Sequence, residues 1–283
     1  NRRTMRIARF PHGGRAHTGL VLGDEVADLG DLDPIALLIG AVAPEVDGAA
    51  RLPLADVRLL PPVAAPRKFL AIGLNYSDHC AETGRPEPDF PVFFNKQVTC
   101  LVGHGDPVHV PRASAMVDYE GELGVVIGRR CRHVPVERAL EVVAGYTIVD
   151  DVTVRDWQLR APTMTIGKSF DTHGPVGPWI VSADEIPDPS ALRIRTIVSG
   201  EVLQDAPTSG MIFSVAEQIA TLSTSCTLEP GDIIATGTPA GVGIVRQPPR
   251  WLVAGDTVRI EIDGIGALEN PIIDEPADTA VIA

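Results

Sequence analysis

Glycine and proline punctuate this 283-residue chain 27 and 25 times, so that few apolar runs exceed the length of a short strand. Proline removes a ladder hydrogen bond and glycine removes side-chain packing, so long elements are interrupted and tight turns favoured. Residues 5–10 alternate as a strand, residues 11–14 turn, residues 18–22 form a second strand, and Gly23-Asp24 turns into a third at 26–29. Residues 33–40 show a short helical pattern, and Pro61-Pro62 followed by Pro66 mark a linker. Beyond it, residues 68–73 read as a buried strand. Beyond Asn75 helices are few, and residues 136–143, 154–159 and 215–223 are the best candidates. Strands do not alternate with long helices, so a doubly wound parallel sheet is not expected. The expectation is a mixed, mainly β fold with few short helices. A small β-rich N-terminal module occupies residues 1–60 and a catalytic domain residues 61–283.

Charge narrows the partners. The chain carries 37 acidic and 24 basic residues, a net charge of -13, and has no Lys/Arg-rich run, so no nucleic-acid partner is expected. No apolar stretch approaches the ~20 residues of a membrane helix, and Arg6, Arg9, Pro11 and His12 interrupt any secretory core near the start. Cys80, Cys100, Cys131 and Cys226 are scattered without a CxxC pair, which fits a reducing cytoplasm. Lysine is scarce: only Lys68, Lys96 and Lys168 stand beside 21 arginines. A retained lysine in such a chain points to point-charge chemistry that arginine does not supply, although genomic codon bias explains it equally well.

Nucleotide motifs fail. Gly167-Lys168-Ser169 resembles the end of a phosphate loop, but its leading glycine would have to stand at Pro162. No GxGxxG, GxSxG or HExxH is present, and the glycine-rich stretch 236–243 has no helix behind it. The informative stretch is Asp118-Tyr119-Glu120-Gly121-Glu122-Leu123-Gly124-Val125-Val126-Ile127. On a strand, Asp118, Glu120 and Glu122 share one face while Tyr119, Leu123, Val125 and Ile127 pack on the other. Carboxylates two residues apart, roughly 6.6 Å at Cα, converge on one cation, whereas without one their repulsion is unfavourable. A solvated face on an edge strand is the commoner fate of such a pattern. A second apolar strand ends in Asp150-Asp151, and its last carboxylate either completes a three-carboxylate site for a hard ion or caps the next helix. On a helical turn, His79 faces Glu82, and a carboxylate bonded to imidazole makes a general base; most pairs of this kind are surface contacts. Residues 83–88 follow as a loop suited to a lid.

Taken in order, these pieces resemble the fumarylacetoacetate hydrolase family. The match begins with Ala71-Ile72-Gly73-Leu74-Asn75-Tyr76-Ser77-Asp78-His79 and Ala81-Glu82. It continues through Asp118–Leu123, residues 149–156 and Gly167-Lys168-Ser169-Phe170-Asp171-Thr172, and closes with Met211-Ile212-Phe213-Ser214 and residues 228–243. The resemblance implies a β-sandwich roll, usually a homodimer, with a divalent metal in an exposed pocket. It places Mg²⁺ or Mn²⁺ on Glu120, Glu122 and Asp151, an active-site lysine at Lys168, and a water-activating dyad at His79 and Glu82. Arg155, Gln158 and Thr238 fall where the family contacts substrate. The 16 residues between Asp151 and Lys168 make a shorter connection than many members have.

The implied activity is metal-dependent hydrolysis of a C–C bond in a 3-acylpyruvate, a small anionic keto acid, with a pyruvate enolate leaving beside metal and lysine. Decarboxylation of an oxaloacetate-like acid and isomerisation of a 2-hydroxy-dienoate use the same enolate. A metal-binding protein without turnover is the reading from another class, and weak metal binding without turnover of any β-keto acid would favour it.

Overall fold

The computed structural model describes residues 5–279; residues 1–4 and 280–283, which begin and end the two expected domains, lie outside the described residues. The chain opens with β1 (Arg6–His12), β2 (Arg15–Leu22), β3 (Glu25–Asp28), helix α1 (Pro34–Leu38) and β4 (Arg51–Pro53). It continues with β5 (Phe69–Gly73), helix α2 (Ser77–Glu82), β6 (Val92–Lys96), β7 (Leu101–Val102), β8 (Val108–Val110) and β9 (Val117–Asp118). The middle holds β10 (Gly121–Ile127), β11 (Val143–Asp150), β12 (Thr153–Val154), helix α3 (Arg155–Gln158) and β13 (Gly174–Ser182). The last part contributes β14 (Arg193–Val198), β15 (Glu201–Pro207), helix α4 (Val215–Ser225), β16 (Ile233–Ala235), β17 (Thr257–Ile262) and β18 (Gly266–Asp274). The molecule is mainly β, with short helices, as the turn-rich sequence implies.

One sheet runs in the order β4-β3-β2-β1-β13-β11-β10-β16-β5-β6, with β7 paired to β13, and a second in the order β15-β14-β17-β18-β8. The N-terminal strands therefore extend the large sheet, since β1 pairs antiparallel to β13 with Ile7 opposite Ile180. At the centre, β10 lies between β11 and β16, antiparallel to both, and all seven of its residues are buried. Its alternation serves two cores. Leu123, Val125 and Ile127 pack with Ile194, Val198, Ile260 and Leu268 of the five-stranded sheet, while Val126 joins Ala144, Ile180 and Leu37 on the other side. Each such side chain contributes ~1.5–3 kcal/mol on burial, which fixes the register that sets where the acidic residues of this strand stand.

Three expectations change. The acidic stretch is no edge strand, because β10 has a neighbour on each side. Nor is it one continuous strand: regular pairing lapses at Tyr119-Glu120, and Asp118 belongs to the separate two-stranded ladder β9-β12, opposite Thr153. Residues 136–142 wind as a 3₁₀ helix in place of an α-helix, and α3 is a single turn. Helix α4 forms where its spacing predicts, started by a capping box in which Ser214 and Glu217 bond each other's backbone N–H. At 11 residues it is the longest described helix, and among the described residues no helix is long and apolar enough to cross a membrane.

Candidate active site

Glu120 and Glu122 enter the site from the start of β10, and Asp151 follows the last residue of β11, its antiparallel neighbour. The register brings them together: one oxygen from each of Glu120, Glu122 and Asp151 lies within 4.8 Å of the others, and all three residues are buried. Three cations answer them. Lys168 Nζ donates to Glu120 Oε2 at 2.6 Å and Asp151 Oδ2 at 2.7 Å. Lys96, at the end of β6, donates to Asp151 Oδ1 at 2.6 Å and to the Lys168 carbonyl. Arg155, the first residue of α3, pairs with Glu120 Oε1 at 2.7 Å and with Asp118 Oδ2 at 2.8 Å.

Ionised, Asp118, Glu120, Glu122 and Asp151 carry four negative charges against three positive ones on Lys96, Arg155 and Lys168. The surplus falls on Glu122. Burial first, then the neighbouring Asp151 and Glu120 charges, hold its carboxyl well above the ordinary range, and the Gly237 N–H at 2.8 Å only partly offsets them. Glu120 moves the other way: burial raises it, but Lys168 and Arg155 outweigh burial and draw it down to about 2. Lys168 is disfavoured as a cation by burial, yet Asp151 and Glu120 hold its pKa above the usual lysine value. Three hard oxygen donors in a buried cluster that lacks one positive charge fit Mg²⁺ or Mn²⁺.

Beside the cluster opens a cavity of about 930 Å³, lined in part by His79, Glu82, Glu120, Arg155, Gln158, Lys168 and Thr238. Glu122 and Asp151 are not among its lining residues. His79 and Glu82 occupy one face of α2, and His79 Nδ1 meets Glu82 Oε1 at 2.7 Å. Glu82 is held in turn by the Gly241 N–H at 2.8 Å, so the carboxylate that orients the ring is itself oriented. Arg155 Nη2 is buried without a hydrogen-bond partner among the described residues. Gln158 Oε1 accepts from Arg155 Nη1 at 3.1 Å. The Thr238 hydroxyl donates to the Gly121 carbonyl at 3.0 Å and accepts from Gln204 Nε2 at 2.7 Å, so it is fixed in place.

The glycine-rich loop after β16 ties these groups together. Gly237 binds Glu122, Gly241 binds Glu82, and the Gly243 and Ile244 amides hold the two oxygens of Asp118 at 2.7 and 3.0 Å. Gly237 and Gly241 adopt φ of +103° and +113°; a Cβ at Gly241 would lie 2.0 Å from the Leu203 carbonyl oxygen. Only glycine fits there. The structure thus gathers seven of the nine expected residues around one cavity, with Glu122 and Asp151 beside it. Reasoning from the sequence assigned no role to Lys96, Gln204 or the Asp118–Arg155 pair. Lysine scarcity pointed at Lys96; nothing in the sequence pointed at Gln204.

Residues 68–273 match the family profile described as fumarylacetoacetate (FAA) hydrolase C-terminal, and residues 5–62 match one described as Rv2993c-like, N-terminal. A putative hydrolase of Burkholderia orbicola is 43% identical over 275 residues, covering 93% of this chain and 96% of that protein. The mitochondrial oxaloacetate tautomerase fahd2 of Xenopus laevis is 44% identical over 220 residues, covering 77% of this chain and 69% of that protein. Among solved structures, a 2-hydroxyhepta-2,4-diene-1,7-dioate isomerase from Mycobacterium marinum superposes with a TM-score of 0.82 at 38% identity, covering 96% of this chain and 99% of that one. A maleylpyruvate hydrolase from Sphingobium sp. SYK-6, solved with manganese(II) and pyruvate, gives 0.80 at 36% identity, covering 96% and 100%.

Proposed function

The chain belongs to the fumarylacetoacetate hydrolase family, and from that premise we propose that it is a divalent-metal-dependent hydrolase cleaving a C–C bond in a 3-acylpyruvate. The observation that carries this reading is the oriented His79–Glu82 pair lining the same cavity as Lys168 and Glu120. Glu120, Glu122 and Asp151 would hold Mg²⁺ or Mn²⁺, and the bound ion would supply Lewis acidity beside the cavity. The chain's own residues do the rest. Arg155 Nη2, which has no partner, receives the pyruvyl carboxylate, and Gln158, bonded to Arg155, borders that position. His79 takes a proton from water, and Glu82 stabilises the imidazolium that forms. The water oxygen bonds to the distal acyl carbon, the C–C bond to the pyruvyl methylene breaks, and its electron pair becomes the pyruvate enolate. Lys168 stands where that charge develops, and proton return to carbon gives pyruvate and a carboxylic acid.

The maleylpyruvate hydrolase with bound manganese and pyruvate supports this assignment. Similarity to an oxaloacetate tautomerase and a dienedioate isomerase favours a second reading, in which the same base moves protons on carbon without attack by water. Pyruvate release from acetylpyruvate and fumarylpyruvate with Mg²⁺ or Mn²⁺, lost with chelator, is the outcome expected of the hydrolase. Metal-dependent interconversion of oxaloacetate tautomers without pyruvate release would replace it with the second reading, and loss of CO₂ from oxaloacetate with a decarboxylase.

A further inference from the structure

Arg246 lies five residues beyond Gly241 in the loop that follows β16, and it lines the cavity. Its guanidinium is fixed by neutral groups alone: Nε donates to the Tyr119 hydroxyl at 3.2 Å and the Gly241 carbonyl at 3.3 Å, and Nη2 to the Leu203 carbonyl at 2.8 Å. No carboxylate pairs with it among the described residues, and Nη1 makes no hydrogen bond to them. The other cationic side chains of the cavity differ. Lys168 and Arg155 are paired with buried carboxylates, and Arg160 is stacked on Trp157 and reaches Asp156 at 3.5 Å. Arg85 also pairs with no carboxylate among the described residues, but it is exposed, where water screens its charge.

A half-buried, held guanidinium facing a cavity without a counter-charge is a preorganised anion site, because its desolvation is already met and its fork is already aimed. Its position relative to the dyad indicates which anion. Arg246 bonds the carbonyl of Gly241, and the N–H of the same residue holds Glu82, the partner of His79. Arg246 therefore sits at the acyl end, where water is activated, while Arg155 and Lys168 serve the pyruvyl end. We infer that Arg246 binds a second carboxylate on the acyl arm, so that the preferred substrates are dianionic acylpyruvates. This rests on the acylpyruvate reading for its orientation but is tested by binding, without turnover.

Calorimetric titration with Mn²⁺ present compares 2-oxoadipate with 2-oxohexanoate, which match in chain length and differ in the distal carboxylate. The intact protein is expected to bind 2-oxoadipate about 30-fold or more tightly, and Arg246→Gln to bring the two within about threefold. Arg246→Lys, which keeps the charge but loses the fork, retains part of the preference and covers the case in which the glutamine variant does not fold. Equal binding of the two acids by the intact protein, or no measurable binding of 2-oxoadipate, overturns the inference. A preference that survives in folded Arg246→Gln does so as well. In hydrolysis, the variant should lose kcat/KM for fumarylpyruvate mainly through KM, with acetylpyruvate little affected. Equal losses on both would show Arg246 acting through Gly241 on the dyad and not on substrate. Absence of hydrolysis in the intact protein, with the binding preference present, would sink the hydrolase reading and leave the anion site standing.

Discussion

Two charge clusters built from the same residue types stand on different sheets of this molecule. On the outer face of the five-stranded sheet, Arg195 of β14 and Arg259 of β17 alternate with Glu261 of β17 and Glu269 of β18, at 2.8–3.1 Å. These side chains are partly exposed and the charges balance, two against two. At the edge of the large sheet's centre, Asp118, Glu120, Glu122 and Asp151 meet Lys96, Arg155 and Lys168 out of water and out of balance. The outer ladder is worth little and costs little. The inner cluster is held against a desolvation penalty of several kcal/mol per ion, which the surrounding hydrophobic packing must offset. An arrangement that disfavours folding and is one positive charge short is what a binding centre requires, and a solvated ladder is not.

The largest test of that contrast removes the surplus charge. Glu122→Gln should lose metal affinity in calorimetry and lower metal-dependent turnover by roughly a thousandfold or more; full turnover would reduce the cluster to a structural ion network. His79→Ala should cut hydrolysis on the order of a hundredfold while metal affinity stays unchanged, and undiminished hydrolysis would remove the dyad from the mechanism. Lys96→Met takes one partner from a buried carboxylate and should cost about 3–5 kcal/mol in denaturant unfolding without metal. Saturating Mn²⁺ should recover part of that loss by binding the native state alone.

A pH series sharpens the same point. In the metal-free protein, burial raises the Asp150 carboxyl to about 7, and Glu122 also lies well above its ordinary range. Both hold a proton in the folded chain where the unfolded chain has lost it, so stability should fall as pH rises from about 5 to about 7. Glu120, drawn down to about 2, adds its stability above the unfolded value and loses it only in stronger acid, outside that window. Comparing unfolding midpoints of the native chain and Asp150→Asn isolates the effect; parallel profiles would reject it. The smallest change belongs to the outer ladder: Arg259→Ala should shift stability by about 0.5 kcal/mol or less, with the shift shrinking in salt.

Local alternation made much of this readable in the sequence. Glu120 and Glu122 stand two apart before an apolar strand, and that spacing carries both to one side. His79 and Glu82 are three apart, and a helical turn suffices to pair them. What escaped is what depends on distant segments. Lys96 reaches Asp151, 55 residues away in sequence, although three strands separate β6 from β11 in the sheet order; the chain leaving β6 runs into β7, which pairs with β13, the neighbour of β11. Asp118 reads as part of the acidic face, yet the lapse in pairing at Tyr119-Glu120 gives it to Arg155 and the loop amides. The N-terminal strands read as β, but their union with β13 is a matter of register between Arg6 and Val181, for which no local residue pattern exists.

The loop after β16 grips Glu122, Glu82 and Asp118 with peptide N–H groups of Gly237, Gly241, Gly243 and Ile244. A peptide N–H is present at every residue except proline. Heritable change at Ile244 or Val245, which line the chamber, can therefore recontour it while the three acids stay moored, and the glycines are denied that freedom. A scaffold so fastened can exchange one keto acid, or one enolate chemistry, for another by small steps, none of which passes through a dismantled centre.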